Sequence, residues 1–436
     1  MGRTLIKEAL ANPGKKVEIK GWVQNIRNQG SIAFLELRDR TGLMQAVILK
    51  DNSAFKNVSD LSNESVVAVT GQTKEEKQAP GGVELAVESI ELLSHADPEL
   101  PIPINEKGTG ETNRQSRLDW RWLDLRKPRN LLIFQVWTEM ERAFRDHLIK
   151  REFILIHSPK FMSTASESGA ELFEVKYFKR KAFLAQSPQF YKQMAQAAGF
   201  EGIFEVGPVF RANPSFTSRH DTEFTGYDVE FSFIDSHQDV MQLEAELLKD
   251  IVEAINKKYG KQIETVFERT LKVPKLPFPQ MTLQEAKRVL AEKKVPSDQD
   301  DDLNPEEERA LSKYILEKEG HEFVFVTDYP ISIRPFYHMR HEDDPKKTKS
   351  FDLLWNGLEI TTGAQREHRY EILKKQAAEK GLGEESLTHY LNFFKYGCPP
   401  HGGFGLGPSR MLMKVLDVDN VREVTYLYRG VKRLTP

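Results

Sequence analysis

Between Val209 and His220 the chain reads VFRANPSFTSRH, which sets Arg211, Arg219 and His220 on either side of a short polar loop holding Pro214 and Phe216. Across a hairpin, two guanidiniums and an imidazole would suit a polyphosphate. An exposed loop whose arginines meet only water is the plainer alternative. A second stretch, FDLLWNGLEITTGAQREHR, carries Asp352 and Glu359. In a strand of period two these fall on opposite faces unless a turn intervenes, and Asn356-Gly357 supplies one. The hairpin can bring the carboxylates together, and Mg²⁺ bridging phosphates takes one or two such groups. Thr362 could add a hydroxyl, while two exposed acids on a hairpin would look the same. SPQFYKQM places Gln189 and Lys192 three apart on one helical face, where a solvated lysine is the ordinary outcome. HGGFGLGPSRMLM sets glycines ahead of Arg410 at a helix start, so backbone amides, helix N-terminus and guanidinium could converge on phosphate. A plain strand-to-helix turn has the same composition. No GxxxxGK[ST] stretch exists.

The elements that must position these residues can be read along the chain. At 436 residues the protein exceeds what one hydrophobic core usually supports, so two domains are expected. A net charge of -3 gives no sign of nucleic-acid binding, although a basic face can sit on a balanced chain. Cys398 is the single cysteine, which excludes an intrachain disulfide and a thiolate zinc site. The N-terminal residues lack the apolar core of a signal peptide, Ile6 stands where myristoylation needs Ser or Thr, and no run of 18 apolar residues occurs, so a cytoplasmic protein with no membrane partner is expected. Five runs rich in β-branched residues between 17 and 93, punctuated by glycines, predict a small closed barrel of the oligonucleotide-binding kind. Three prolines in ADPELPIPINEKGTGETNRQ predict a linker. Beyond it, Leu132, Val136, Met140, Phe144 and Leu148 have helical spacing. A second helix opens on Ser236 and Asp239 as a capping pair and is expected to close at Gly260. Strand-like runs joined by hairpin-scale loops favour an antiparallel sheet with flanking helices, an α+β class. The acidic stretch SDQDDDLNPEEERALSKYILEKEG reads as a helix with a solvated face.

Seven segments in order, with the terminal RLTP, resemble the class II aminoacyl-tRNA synthetases, and within them the shorter, archaeal-like aspartyl-tRNA synthetases. They run from GWVQNIRNQGSIAFLELRDRTGLMQAV through RLDWRWLDLRKP, TASESGAELFEVKYF, AFLAQSPQFYKQM, FRANPSFTSRHDTEFTGYDVE and GLEITTGAQREHR to YGCPPHGGFGLGPSRMLM and the terminal RLTP. The resemblance implies an anticodon-binding barrel over 1–97, a hinge over 98–130, a catalytic domain over 131–436 and a homodimer, with the helix from Asn130 and FILIHSPKF at its interface. It implies that Arg211 meets the ATP α-phosphate and Arg410 the γ-phosphate side, both as catalytic residues, and that Arg219 and His220 belong to a loop closing over ATP. Asp352, Glu359 and Thr362 correspond to the Mg²⁺-ATP ligands, Glu359 also contacting ATP. On the amino-acid side, Arg366 and Lys192 match the cations for the β-carboxylate of L-aspartate, and a guanidinium suits bidentate recognition. Glu167, Gln189 and Asp228 match positions that bind or orient the α-ammonium end, and Thr362 belongs to the aspartate set as well. The asparaginyl enzymes tend to replace the lysine with an acidic residue, so Lys192 favours aspartate.

The implied reaction has two steps. The α-carboxylate attacks the α-phosphorus in line, giving aspartyl-adenylate and pyrophosphate; the terminal ribose of tRNA(Asp) then attacks the mixed anhydride. Positioning carries most of such chemistry, and no protein base is assigned. Two positions depart from the family. Asn213 replaces the usual glutamate at the adenine edge, and Ser409 replaces an acidic residue beside Arg410. Asparagine keeps an acceptor for the exocyclic amine, so ATP binding is expected to weaken by about 1 kcal/mol, the net worth of one hydrogen bond. Phe34 matches the barrel aromatic that stacks an anticodon base, with Arg27 and Gln45 as polar readers. Gln24 after GWV, together with the ending REVTYLYRGVKRLTP, leans towards relaxed choice that includes tRNA(Asn). The rival readings are an asparaginyl-tRNA synthetase and a non-catalytic RNA-binding paralogue.

Overall fold

The computed structural model describes residues 2–105, 112–163, 172–214 and 217–436. Two compact units divide the chain, Met1–Leu131 and Leu132–Pro436. In the first, helix α1 (Ile6–Leu10) precedes strands β1 (Lys16–Asn28), β2 (Ile32–Asp39), β3 (Gly42–Leu49), β4 (Val66–Glu75) and β5 (Val83–Ser94). Alternation along each strand sends Val17, Ile19, Leu35, Leu37, Val67, Val69 and Leu85 inward. The strands close as a barrel in the order β1-β2-β3-β5-β4, with β3 and β5 parallel and the other pairs antiparallel.

The stretch expected to be a hinge, 98–130, is partly folded. Helices α2 (Arg114–Asp119) and α3 (Arg121–Asp124) lie within it. Ile102 and Ile104 pack with Leu123 into a small core, and Arg121 Nη1 lies 2.8 Å from the buried Asp124. Ile102, between Pro101 and Pro103, and Ile104 just after them supply the apolar surface that anchors this stretch.

The second unit begins in α4 (Pro128–Ile149), whose stripe Leu132, Val136, Met140, Phe144 and Leu148 is buried. It continues through β6 (Ile154–Leu155), β7 (Phe161–Met162), β8 (Glu174–Tyr177), β9 (Arg180–Leu184), α5 (Gln189–Ala197), β10 (Gly202–Phe210), β11 (Glu223–Ser232), α6 (His237–Phe267), β12 (Gln280–Thr282), α7 (Leu283–Glu292) and α8 (Pro305–Glu319). Then come β13 (Phe323–Thr327), β14 (Ser350–Trp355), β15 (Leu358–Arg366), α9 (Tyr370–Glu379), α10 (Glu384–Lys395), β16 (His401–Leu406), α11 (Pro408–Leu416) and α12 (Val421–Val424). Eight strands form one sheet in the order β12-β13-β14-β15-β16-β11-β10-β6, and β7-β9-β8 form a smaller one. The large sheet is antiparallel through its centre, with parallel pairs only at its two ends. Helices α6 and α11 pack on its central strands.

One expectation is corrected and another is met only in part. Helix α6 opens on the Ser236–Asp239 capping box but runs through Gly260 to Phe267, ending at Glu268 in the left-handed conformation. Ile255 and Ile263 on either side of that glycine are both buried. Their packing outweighs the cost of about 1 kcal/mol for a mid-helix glycine. The acidic helix α8 does present an exposed face, with Glu306, Lys313 and Glu317 on it, but two of its acids lie on the other side: Glu307 and Glu308 are buried with Leu311 and Ile315. Each acid has a cation, Lys287 at 2.8 Å for Glu307 and Arg219 at 3.0 Å for Glu308, which is how a charged side chain tolerates burial. Among the described residues no helix is long and apolar enough to cross a membrane.

Candidate active site

A cavity of about 410 Å³ opens on the large sheet of the second unit. Its lining includes Gln189, Lys192, Arg211, Asn213, Arg219, His220, Asp228, Glu359, Thr362, Arg366 and Arg410. Residues as far apart in sequence as 189 and 410 therefore meet in one place. Glu167 lies outside the described residues.

At one end, strand β11 carries Asp228 and Glu230 two residues apart, hence on one face. Lys192, from α5, sits 2.9 Å from Asp228 Oδ1 and 3.4 Å from Glu230 Oε2. Arg366, at the end of β15, donates from Nε to Glu230 Oε1 at 2.9 Å, from Nη2 to Gly403 O at 3.0 Å, and pairs through Nη1 with His338 Nε2 at 2.9 Å. Gln189 Nε2 reaches both Glu230 oxygens at 3.4–3.5 Å. Lys192 is 1% exposed and Glu230 0%, so the lysine is no solvated surface charge. Lys192 and Arg366, expected as the cations for a ligand's carboxylate, share a buried carboxylate of the protein itself. Burial opposes ionisation of Glu230, but Arg366 and Lys192 more than offset it and hold the carboxyl below its ordinary value. Burial and the Arg366 charge hold His338 well below the usual imidazole range, so it is neutral and its Nε2 accepts from the guanidinium.

At the other end, Arg211 lies over the Phe224 ring at 5.4 Å and donates weakly to Gln186 O at 3.5 Å. Arg410, in the first turn of α11, donates from Nη1 to Glu359 O at 3.0 Å and Glu359 Oε1 at 3.3 Å. Arg219 pairs with Glu308, whose carboxyl burial pushes up to about 7 against the pull of that arginine. His220 contributes no charge at neutral pH. Burial first, then Arg410 and Arg219, lower it to about 4, which corrects the expectation of a third cation in the loop. Thr217 Oγ1 and His220 Nδ1 are hydrogen-bonded instead.

The hairpin of β14 and β15 does turn at Asn356 and Gly357, both at positive φ. Register pairs Asp352 with Thr362, Leu353 with Thr361 and Leu354 with Glu359, so Ile360 is the extra residue of a β-bulge. Without that bulge Glu359 and Thr362, three apart, would point to opposite faces. With it, Thr362 Oγ1 lies 3.4 Å from Glu359 Oε1. Glu359 and Thr362 face the cavity, whereas Asp352 is buried behind them with Oδ2 held by Arg334 at 2.7 Å. Asp352 Oδ1 is buried and makes no hydrogen bond within the described residues. Burial raises the Asp352 carboxyl despite Arg334, and Glu359 adds to the rise. Two carboxylates and a hydroxyl are hard oxygen donors of the kind Mg²⁺ takes. No cluster of three His, Cys, Asp or Glu side chains suited to a metal occurs among the described residues, so a cation here would complete its shell from a ligand's oxygens.

The glycine-rich HGGFGL is not a phosphate loop but central strand β16, between β15 and β11. A Cβ on Gly403 would fall inside the van der Waals envelope of Val229 O and Glu230 Oε2. Close strand approach, not anion binding, requires that glycine.

On the barrel, Arg27 and Phe34 are cross-strand partners on its outer face, with the guanidinium 5.3 Å from the ring centroid. Arg27 Nη2 donates to Gln45 Oε1 at 3.1 Å, and Gln45 donates to Glu84 at 3.0 Å. Phe34 is half-buried, not part of the core. Sequence reasoning missed Glu84, Glu230, Arg334, His338 and Glu308. Only Glu230 left a signal, its period-two spacing from Asp228.

A closed barrel followed by an antiparallel sheet that gathers arginines and carboxylates in one cavity defines a class of ligase. Residues 113–429 match the family of tRNA synthetases class II (D, K and N), and residues 17–93 match the OB-fold nucleic acid binding domain. The chain belongs to the class II tRNA synthetases of this D, K and N group. It is 42% identical to the aspartate--tRNA(Asp) ligase of Pyrococcus abyssi over 97% of each chain. It is 43% identical to the aspartate--tRNA(Asp/Asn) ligase of Aeropyrum pernix, covering 99% of this chain and 97% of that one. A crystal structure of asparaginyl-tRNA synthetase from Pyrococcus horikoshii complexed with asparaginyl-adenylate superposes with a TM-score of 0.93 at 34% identity, over 100% of both chains.

Proposed function

We propose that the protein is an aspartate--tRNA ligase, activating L-aspartate with ATP to aspartyl-adenylate and transferring it to the terminal ribose of tRNA(Asp). The observation that carries this reading is the convergence of Lys192 and Arg366 on Glu230, in the cavity that also holds Arg211 and Arg410. Two cations locked by a common carboxylate present a rigid, charge-complementary seat for a second carboxylate on a small ligand. Relatives named as aspartate ligases, matching over nearly the whole chain, support the same choice.

In this reading Asp228, with Gln189 beside it, meets the α-ammonium, and Arg366 and Lys192 meet the β-carboxylate. Arg211 stabilises the charge that develops on the α-phosphoryl oxygens. Arg410 and Arg219 hold the outer phosphates, and Phe224 offers a face to the base. Glu359, Thr362 and the Oδ1 of Asp352 would hold Mg²⁺, which when bound neutralises phosphate oxygens. Arg27, Phe34 and Gln45 form the anticodon surface. We assign 1–97 to that anticodon-binding domain, 98–130 to the hinge and 131–436 to catalysis, in a cytoplasmic homodimer. The exposed edge strand Ile154–Leu155 and the exposed Phe161 and Phe178 supply apolar surface for the dimer contact.

The test is ATP–pyrophosphate exchange with each amino acid, followed by charging of tRNA(Asp) and tRNA(Asn). Exchange with aspartate well above that with asparagine is expected. Faster exchange with asparagine would replace this assignment with the asparaginyl one. Aspartylation of tRNA(Asn) is expected too, and its absence would restrict the enzyme to tRNA(Asp).

A further inference from the structure

We propose that Glu308 is a positioning residue for nucleotide binding, holding one nitrogen of Arg219 against α8 so that the other edge of the guanidinium faces the outer phosphates of a nucleoside triphosphate. This rests on reading the cavity as the ATP site. Arg219 Nη1 lies 3.1 Å from Glu308 Oε1 and 3.0 Å from Oε2, so one nitrogen carries the whole pair. Arginine has five N–H donors in a fixed fork. Its Nε and Nη2 make no hydrogen bond among the described residues, and Arg219 lines the cavity while Glu308 does not. Glu308 therefore acts only through the arginine.

The backbone around Arg219 is fixed from a different direction. Val421 N donates to Ser218 O at 2.8 Å, Thr222 N to Arg429 O at 3.1 Å, and Tyr428 Oη to His220 O at 3.3 Å. The C-terminal segment thus sets where the loop runs, and Glu308 sets where its long cationic side chain points. Glu308 lies in the first turn of α8, where the helix N-terminus favours a carboxylate. An arginine already ordered loses less freedom when a phosphate arrives.

Calorimetric titration of the full-length protein with ATP and with AMP, in the presence of Mg²⁺, tests this on Glu308→Ala, Glu308→Gln, Arg219→Ala and the double variant. Glu308→Ala should weaken ATP by about 10-fold, the loss of one charge-assisted contact, and leave AMP unchanged. Arg219→Ala should do the same, and the double variant should bind ATP no worse than Arg219→Ala alone. Glu308→Gln, which keeps the shape and one acceptor, should fall between wild type and Glu308→Ala. Equal weakening of ATP and AMP would show a merely structural pair and overturn the proposal. So would ATP affinity within about twofold of wild type in both Glu308 variants, or losses that multiply in the double variant. Wild-type protein that binds neither nucleotide would overturn the ATP-site reading and the proposal with it. Wild-type protein that binds ATP no better than AMP but exchanges pyrophosphate with aspartate would overturn the proposal alone.

Discussion

Glu230 is surrounded by Arg366, Lys192 and Gln189, with no solvent to share the charge. Removing one partner from a buried ionic group leaves the others uncompensated, which costs far more than the pair contributes. Glu230→Gln should therefore release Arg366 from its orientation and lower kcat/KM for aspartate by about 10²-fold, the scale of a small misplacement of a binding group. Pyrophosphate exchange at varied aspartate measures it, and an unchanged kcat/KM would mean that Glu230 is structural filler. Asn213 tests the opposite end of the cavity. Asn213→Glu restores a charged acceptor with one more methylene, and should lower the ATP KM by about fivefold, equivalent to about 1 kcal/mol. Loss of ATP binding in that variant would show that the asparagine is adapted to its own surroundings.

Among the elements, β16 decides how closely the sheet's centre can pack. It lies between β15 and β11, and Gly403 leaves the space in which Glu230 folds back towards Arg366. Gly403→Ala forces a methyl against backbone that cannot move aside, so a loss of about 3 kcal/mol is expected, together with a Tm lower by about 5 °C or more. A thermal melt with Tm unchanged would contradict this packing account. The bulge at Ile360 is the second element-scale device. It turns an ordinary hairpin into a strand that presents Glu359 and Thr362 on the same face.

On the scale of the whole molecule, each unit has its own core, and the second contains one carboxylate that its fold leaves unserved. Glu244 on α6 is fully buried, with neither oxygen hydrogen-bonded within the described residues. Burial pushes its carboxyl from 4.5 up to about 8, and the charge of Asp352 adds to the rise. The folded state therefore keeps a proton that the unfolded chain releases above 4.5. Stability tied to this group is fully present below 4.5, is lost progressively as pH rises towards 8, and stays lost above it. Glu244→Gln removes that dependence. Its Tm should gain on wild type as pH goes from 5 to 8 and the gap should level off beyond, while a constant gap across the range would show that Glu244 does not titrate in this window.

The parts of the protein that are local in the chain were legible from the letters alone. Runs of β-branched residues between glycines predict the five barrel strands, Asn356-Gly357 predicts its hairpin, and Ser236 with Asp239 marks the start of α6, because each depends on residues a few positions apart. The arginines of the cavity were legible only through the resemblance of their segments to the class II synthetases, since each segment by itself also fitted a plain loop or turn. The tertiary structure alone decided which charges are shared and which are absent. Glu230 joins Arg366 across 136 positions and Glu308 joins Arg219 across 89. His220 loses its charge and Lys192 its solvent through burial. Burial and pairing over such separations are properties of the packed chain, and no short window of sequence contains them.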